Sequence, residues 1–324
     1  MKKQVILLMA MMMLGLTSCV KEVEFDGEQS ESLLVVNGLQ QVGQPARLCV
    51  EKSVFFLDAK KDCRAKDVQV DLYVNGDFKE ALQVRDSILT EVYYDWTEEG
   101  EVMKERLLYA FNYCEGQYVL CAGDRLRFEV RSSEFDDAAE AETTMPDMPN
   151  VISFDTVRVD RVENTSTYTV YFSLTLDDPL GIDYYNLCPY DGLVGFSSSD
   201  PVFADLTSIE VENLMGESSE YYAYGPINVF SDAYFDGKTY SVSMSAYSWG
   251  DEYYEPFTLE VSRVDEALYQ YKRTYDAYQQ SDPESLLGMF TEPVRVYSNV
   301  KNGTGVVCAQ SQPVTLVLDF IINY

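Results

Sequence analysis

The sequence predicts a mainly β protein: an N-terminal Ig/transthyretin-like β-sandwich, then a second β-sandwich-like domain with one amphipathic helix and a short second helix. Three observations predict it. Apolar and polar residues alternate with period two in several runs, as at Val68, Val70, Leu72 and Val74 against Asp67, Gln69 and Asp71. Asn75-Gly76 separates two such runs, a strong short hairpin signal. The runs recur at spacings of about 8–12 residues with polar turns between them, as in sandwiches.

The elements follow in order. Ser32 to Gly38 reads as a first strand and Ala46 to Phe56 as a second. Asp67 to Val74 and Phe78 to Val84 flank the Asn75-Gly76 turn. Leu107 to Tyr113, Gln117 to Cys121 and Arg125 to Arg131 continue the series. Ser132 to Glu142 is acidic and alanine-rich and reads as a break in composition. Pro146 and Pro149 stiffen the segment after it, since proline cannot sit inside a sheet. The expected organisation is an N-terminal sandwich over 32–142, a linker over 143–150 and a C-terminal β domain over 151–324.

In the second part Val151 to Val162 and Ser166 to Leu176 read as strands around an Asn164-Thr165 turn. Residues 177–237 are rich in Tyr, Ser, Asp and Gly and show no lasting period. Thr239 to Ser245, Pro256 to Val261 and Val314 to Ile322 read as further strands. A helix is expected over 262–280, with Ser262 as N-cap and Asp265 three residues on. Val264, Leu268, Tyr271, Tyr275 and Tyr278 fall on one face of it, expected to be buried against a sheet. Asp282-Pro283-Glu284 would open the second helix.

The N-terminus decides location. Lys2 and Lys3 precede an apolar run from Val5 to Leu16, too short to span a bilayer, and small residues follow. Residues 1–18 therefore read as a signal peptide. Leu16-Thr17-Ser18-Cys19 resembles the bacterial lipobox, which implies cleavage before Cys19, a diacylglyceryl group on its sulfur and acylation of its amine. Residues 19–31 read as an acidic tether. Lys21-Glu22 with Glu24 resembles a surface-export signal. The expected localisation is the outer membrane, lipid-anchored, at the cell surface, with the periplasmic face as the alternative.

Composition excludes several functions. The chain carries 54 acidic against 24 basic residues, a net charge of −30, which repels nucleic acid and anionic headgroups. The only membrane contact expected is the lipid anchor. Histidine is absent, so no Ser-His-Asp or Cys-His nucleophile and no imidazole metal site can be built. No acidic pair stands out as a glycosidase centre. Asp177-Asp178, Asp136-Asp137 and Glu98-Glu99 read as solvated loop charges, or at most as a weak Ca²⁺ site. The expectation is no catalytic residue, no metal and no cofactor. Six cysteines follow Cys19, either free or bridged. If bridges form, Cys114–Cys121 and Cys49–Cys63 are the most local candidates.

Two stretches could contact a ligand or partner: Tyr221-Tyr222-x-Tyr224 and Tyr247-x-Trp249-Gly250-x-x-Tyr253-Tyr254. Aromatic side chains stack on sugars and dominate interface hot spots. Packing of a tyrosine-rich sandwich explains the same residues.

Leu34-Val35-Val36-Asn37-Gly38 after the lipobox, Phe290-Thr291-Glu292-Pro293 through Tyr297-Ser298-Asn299, and Asn302-Gly303-Thr304-Gly305 together resemble one lipoprotein family of Bacteroidota, domain-of-unknown-function family 4249 (DUF4249). In that family a tyrosine-bearing helix leads to an aromatic-x-Glu-Pro stretch and a Gly-x-Gly turn. Val306-Val307 stand where an aromatic-rich segment would be expected. The resemblance implies an accessory lipoprotein encoded beside a TonB-dependent outer-membrane receptor, and it supplies no catalytic residues. A surface adhesin or fimbria-like subunit fits the sandwich pattern as well. Turn chemistry alone accounts for the Gly-x-Gly segment.

Overall fold

Among the described residues, period-two alternation becomes strand in most of the runs that show it, and in several places where charge conceals it. The computed structural model describes residues 31–55, 62–97, 100–161, 167–190, 193–198, 200–203, 221–223, 229–249, 257–280 and 294–318. The first half contains β1 (Leu34–Gln41), β2 (Pro45–Lys52), β3 (Gln69–Val74), β4 (Asp77–Ala81), β5 (Gln83–Thr97), β6 (Gly100–Val119), β7 (Arg125–Arg131) and β8 (Ala139–Thr144). The second contains β9 (Val151–Arg161), β10 (Thr167–Asp177), β11 (Tyr184–Tyr190), β12 (Leu193–Ser198), β13 (Tyr221–Ala223), β14 (Val229–Ser231), β15 (Thr239–Trp249) and β16 (Phe257–Val264). Helix α1 (Glu266–Gln280), β17 (Val307–Gln310) and β18 (Val314–Leu318) complete it.

The strands form three sheets. A nine-stranded sheet runs β14-β11-β16-β17-β1-β2-β6-β5, with β18 also paired to β16; a five-stranded sheet runs β13-β12-β15-β10-β9; a four-stranded sheet runs β4-β3-β7-β8. One core, with Val36, Leu48 and Val50 against Leu72, Phe128 and Ala141, joins the four-stranded sheet to the β1–β2 part of the large sheet. A second core, with Phe172, Leu174 and Met244 against Tyr185, Leu187 and Val261, joins the five-stranded sheet to its β11–β16 part. The large sheet thus serves both cores and takes strands from both sides of residues 143–150. Ser32–Tyr324 forms one compact unit.

Several expectations need correction. Ser132 to Glu142 contains a strand: Ala139, Ala141 and Thr143 are buried while Glu140 and Glu142 face outward, so small residues on the inner side hid the alternation. The runs expected at Leu107 to Tyr113 and from Gln117 belong to one long strand, β6 (Gly100–Val119), paired with an equally unforeseen β5 over Gln83↔Glu115 to Thr97↔Gly100. Acids and bases interleave with β-branched residues there, which masks the apolar period.

Helix α1 starts at Glu266, one turn later than expected. Ser262 lies inside β16, where Asn186 pairs with it, and is buried. Asp265 is the actual N-cap: its Oδ1 accepts the Leu268 N–H at 2.9 Å. The tyrosine face is only half buried. Leu268 is buried and Tyr271 packs against the small cluster that holds Leu268, Val306 and Cys308, whereas Tyr275 and Tyr278 are 39% and 50% exposed. The expected helix at Asp282 and the Asn164-Thr165 turn lie outside the described residues.

The Asn75-Gly76 hairpin forms as expected, with φ of 54° and 95°, the left-handed pair that a tight two-residue turn requires. The Asn302 to Gly305 segment does more than turn. It brings the chain alongside β1 in parallel. The Thr304 N–H donates to Leu34 O, the Val36 N–H to Thr304 O and the Gly38 N–H to Val306 O, each at 2.9 Å. The Gly38↔Val307 to Gln41↔Gln310 register then continues as β17. Gly305 has φ of 109°, and a Cβ there would stand 2.3 Å from Val36 O. A Cβ at Gly303 would stand 2.6 Å from Leu34 O. The Asn37 side chain accepts the Val306 N–H at 3.0 Å, and the Asn299 side chain bridges Val307 N and O.

Gly305→Ala should therefore cost more than about 3 kcal/mol, combining an unfavourable φ with a forced retreat of β1. Gly43→Ala, also at positive φ (84°) but with open space around the new Cβ, should cost about 1–2 kcal/mol. Chemical denaturation of both variants checks this; equal losses would mean that the close approach to β1 is not the constraint.

Candidate functional site

Three carboxylates come together where two loops meet beside the second core. Residues 178–183 connect β10 to β11, and residues 232–238 connect β14 to β15. Asp178, Asp232 and Asp236 bring carboxylate oxygens within 4.8 Å of one another, and the first two are buried. The aromatic residues around them explain the placement. Tyr185 stacks on Phe230 at 5.3 Å, and Phe235 lies 4.8 Å from Tyr240 in a near-parallel stack. Phe235 in the core fixes the 232–238 loop and so the carboxylates on either side of it.

Each carboxylate has a local role. Asp178 accepts the Tyr185 hydroxyl at 2.5 Å and the Gly237 N–H at 3.0 Å. Asp232 accepts the Asp183 N–H at 2.9 Å, and Asp236 accepts the Gly181 N–H at 2.8 Å. Burial, reinforced by the Asp178 and Asp236 charges, pushes Asp232 up to about 6. Burial and the Asp178 bond raise the Tyr185 hydroxyl. Arg263 pairs with Asp183 beside the cluster; its own pKa is pulled down by burial and held up by the Asp147 and Asp178 charges. Its Nε has no hydrogen-bond partner among the described residues. Asp178, Asp232 and Asp236 are the residues that could share a small cation. Most of their geometry is already explained as a clasp between two loops, with Arg263 supplying positive charge nearby.

Asp178 is therefore not the solvated loop charge expected from the sequence. The Asp232-x-x-x-Asp236 spacing around buried Phe235 was the available signal.

The aromatic stretches are partly brought together. Tyr221 and Tyr222 lie in β13, paired with Ser198 and Ser197 of β12. Tyr247 and Trp249 lie in β15, paired with Thr169 and Thr167 of β10. β12 separates the two strands, which places their backbones about 10 Å apart in one sheet. Tyr224, Tyr253, Tyr254 and the lipidation candidate Cys19 lie outside the described residues.

The six later cysteines are free thiols, so neither local bridge is formed. Cys114 faces the core in β6 and Cys121 is exposed beyond its end, roughly 20 Å along an extended chain. Cys49 pairs with Tyr113, while the Cys63 N–H donates to Ala110 O about 10 Å along the same strand. Bridged Cα atoms sit within about 7 Å. Burial pushes the Cys114 thiol up to about 12 and raises Cys308 as well, which leaves both unreactive.

A family model for a domain of unknown function, DUF4249, matches residues 20–314. The chain belongs to that family. No curated protein matches it. Within this DUF4249 chain, the two ends of the resemblance seen in sequence are physical neighbours: Leu34 to Gly38 and Thr304 to Val307 are hydrogen-bonded partners. The Gly-x-Gly segment of this DUF4249 chain is a joint between strands, with no titratable group of its own.

The raised Asp232 gives a signed expectation. The fold holds its proton better than the unfolded chain does, so the stability it contributes is complete below about pH 4 and falls as pH rises toward 6. Asp232→Asn, which keeps an acceptor for the Asp183 N–H, should be more stable than the parent at pH 7.5. After solvent screening the gain should be on the order of 1 kcal/mol. The gain should vanish below pH 4. Thermal melts across pH 4–8 check this; an Asn variant that is less stable at pH 7.5 would mean that the ionised carboxylate is needed.

Proposed function

We propose that this DUF4249 protein is an exported lipoprotein, anchored to the outer membrane through Cys19, that acts as a non-enzymatic binding or accessory component of a TonB-dependent receptor in nutrient uptake. The observation that carries the reading is Leu16-Thr17-Ser18-Cys19 directly after a short apolar run with a basic flank. Two acyl signals at one cysteine hold a protein stably on a membrane, where a single chain binds marginally. The acidic stretch before β1 then acts as a spacer, and the anchored face is the cell surface.

The absence of histidine supports a binding role over a hydrolytic one. An N-terminal half built as an Ig/transthyretin-like sandwich would be a presenting scaffold, with ligand or partner contacts on the aromatic strands at Tyr221, Tyr222, Tyr247 and Trp249.

Affinity purification of the tagged, lipidated protein from detergent-solubilised outer membrane, with mass spectrometry, tests the proposal. Stoichiometric recovery of one TonB-dependent receptor is expected. Recovery of the protein alone, or with a ladder of its own copies or other surface subunits, would overturn the accessory role and favour an adhesin or fimbria-like subunit.

A further inference from the structure

β9 ends the five-stranded sheet: it pairs with β10 on one side and with no strand on the other among the described residues. Four residues in succession at its middle, Asp155, Thr156, Val157 and Arg158, are exposed. Val157 and Ile152 are 67% and 56% exposed. Edge strands ordinarily carry a guard, such as short length, a proline, a lysine, an inward-pointing charge or a bulge. β9 is 11 residues long, has neither proline nor lysine, and turns the apolar Val151, Phe154 and Val159 toward the second core.

The bulge is present, and it makes the strand palindromic. Tyr171 pairs with Arg158 but Phe172 with Thr156, so Val157 is one extra residue on β9. In a regular strand, residues three apart point to opposite faces. Here Asp155 opposite Ser173 and Arg158 opposite Tyr171 share the outer face, as do Ser153 opposite Thr175 and Asp160 opposite Thr169. Phe154 opposite Leu174 and Val159 opposite Val170 share the inner face. Read outward from the bulge, the order is outer, inner, outer in both directions. Backbone N–H and C=O groups alternate with the same period, so those facing the open edge match on the two sides as well.

Antiparallel pairing of two such strands about a twofold between Thr156 and Val157 is therefore consistent in face and in hydrogen bonding. It sets Asp155 opposite Arg158 of the second copy, Ser153 opposite Asp160 and Phe154 opposite Val159, each twice. A slip of one residue would set outer positions against inner ones.

The charges fit this register. The Asp155 carboxylate has no ion-pair partner among the described residues. Arg158 is positioned on the outer face, with its guanidinium 4.1 Å from the centre of the Tyr171 ring and its Nε 3.0 Å from Asp160. Its side chain is still 59% exposed. An unpaired acid thus meets a positioned base on each side of the twofold.

We infer that β9 is a self-association edge, through which two copies of this chain pair as a closed twofold dimer. Each copy uses its one β9 edge, so the assembly stops at two. The pairing is independent of the accessory role proposed above.

Sedimentation velocity of the full lipidated chain in detergent tests the inference, after thermal melts confirm that each variant folds. The parent should be a dimer. Asp155→Arg and Arg158→Asp each set like charges opposite one another twice, and each should weaken the dimer at least about tenfold. The double variant Asp155→Arg/Arg158→Asp restores opposite charges in the same register and should return dimerisation to within about threefold of the parent. A photo-crosslinker at position 157 should join two copies. One at position 78, 58% exposed on β4 of another sheet, should not. A monomeric parent, a dimer unchanged by the single substitutions, or a dimer weakened equally in the single and double variants would overturn the pairing. A crosslink from position 157 to a different outer-membrane protein would give the edge to that partner and overturn the second copy. Oligomers larger than two would overturn the closed twofold contact.

Discussion

The parallel joint between β1 and the 304–310 segment is the contact on which the architecture rests. It lies midway along the nine-stranded sheet, with β2, β6 and β5 on one side and β16, β11 and β14 on the other. Val264↔Gln310 links β16 to β17, so the second core reaches the first mainly through β17. Parallel pairing of two strands so distant in sequence closes a loop of almost the whole chain, which costs entropy that only a large buried area can offset. The backbones can approach because Gly303 and Gly305 carry no Cβ, and Asn37 and Asn299 supply hydrogen bonds where the ladder is irregular.

The same joint organises what lies around it. Asp265 caps α1, donates its N–H to Ala309 O and accepts the Thr143 hydroxyl at 2.5 Å. One buried carboxylate thus connects helix, central strand and the segment between the two halves. Burial raises its pKa, and the Thr143, Leu268 and Ala309 contacts oppose that rise. The Pro146 and Pro149 segment therefore leads between two cores that share a sheet. At the opposite edge, the β5–β6 hairpin leaves that sheet on the side where the chain enters β1.

Much of the fold could be read from the residues, and the failures have physical reasons. Strands with a clean inner face, such as β3 and β7, appeared within two residues of their places. β8 was lost because its inner positions are Ala139 and Ala141, too small to register as an apolar face. β5 was lost because exposure on both sides removes the alternation that marks a half-buried strand. The helix start was placed a turn early because Ser262 and Asp265 imitate a capping box, while the β11 pairing that holds Ser262 in a strand is a tertiary effect. The Asp178, Asp232 and Asp236 cluster is only half legible for the same reason: Asp232 and Asp236 are close in sequence, but Asp178 is remote and joins them only through the packing around buried Phe235. The importance of Asn302 to Gly305 was visible as turn chemistry, but its partner strand at the other end of the chain was not.

Native-state hydrogen exchange on the mature chain tests the joint most directly. The amides of Val36 and Gly38, which donate to Thr304 O and Val306 O, should exchange only through global unfolding, together with those of Val306 and Val307 and with core amides of β7 and β10. Exchange of the 304–310 amides, Val36 and Gly38 through a separate, lower-energy opening, with β2 and β7 still protected, would contradict the account: the two cores would then be stable without the strand that joins them.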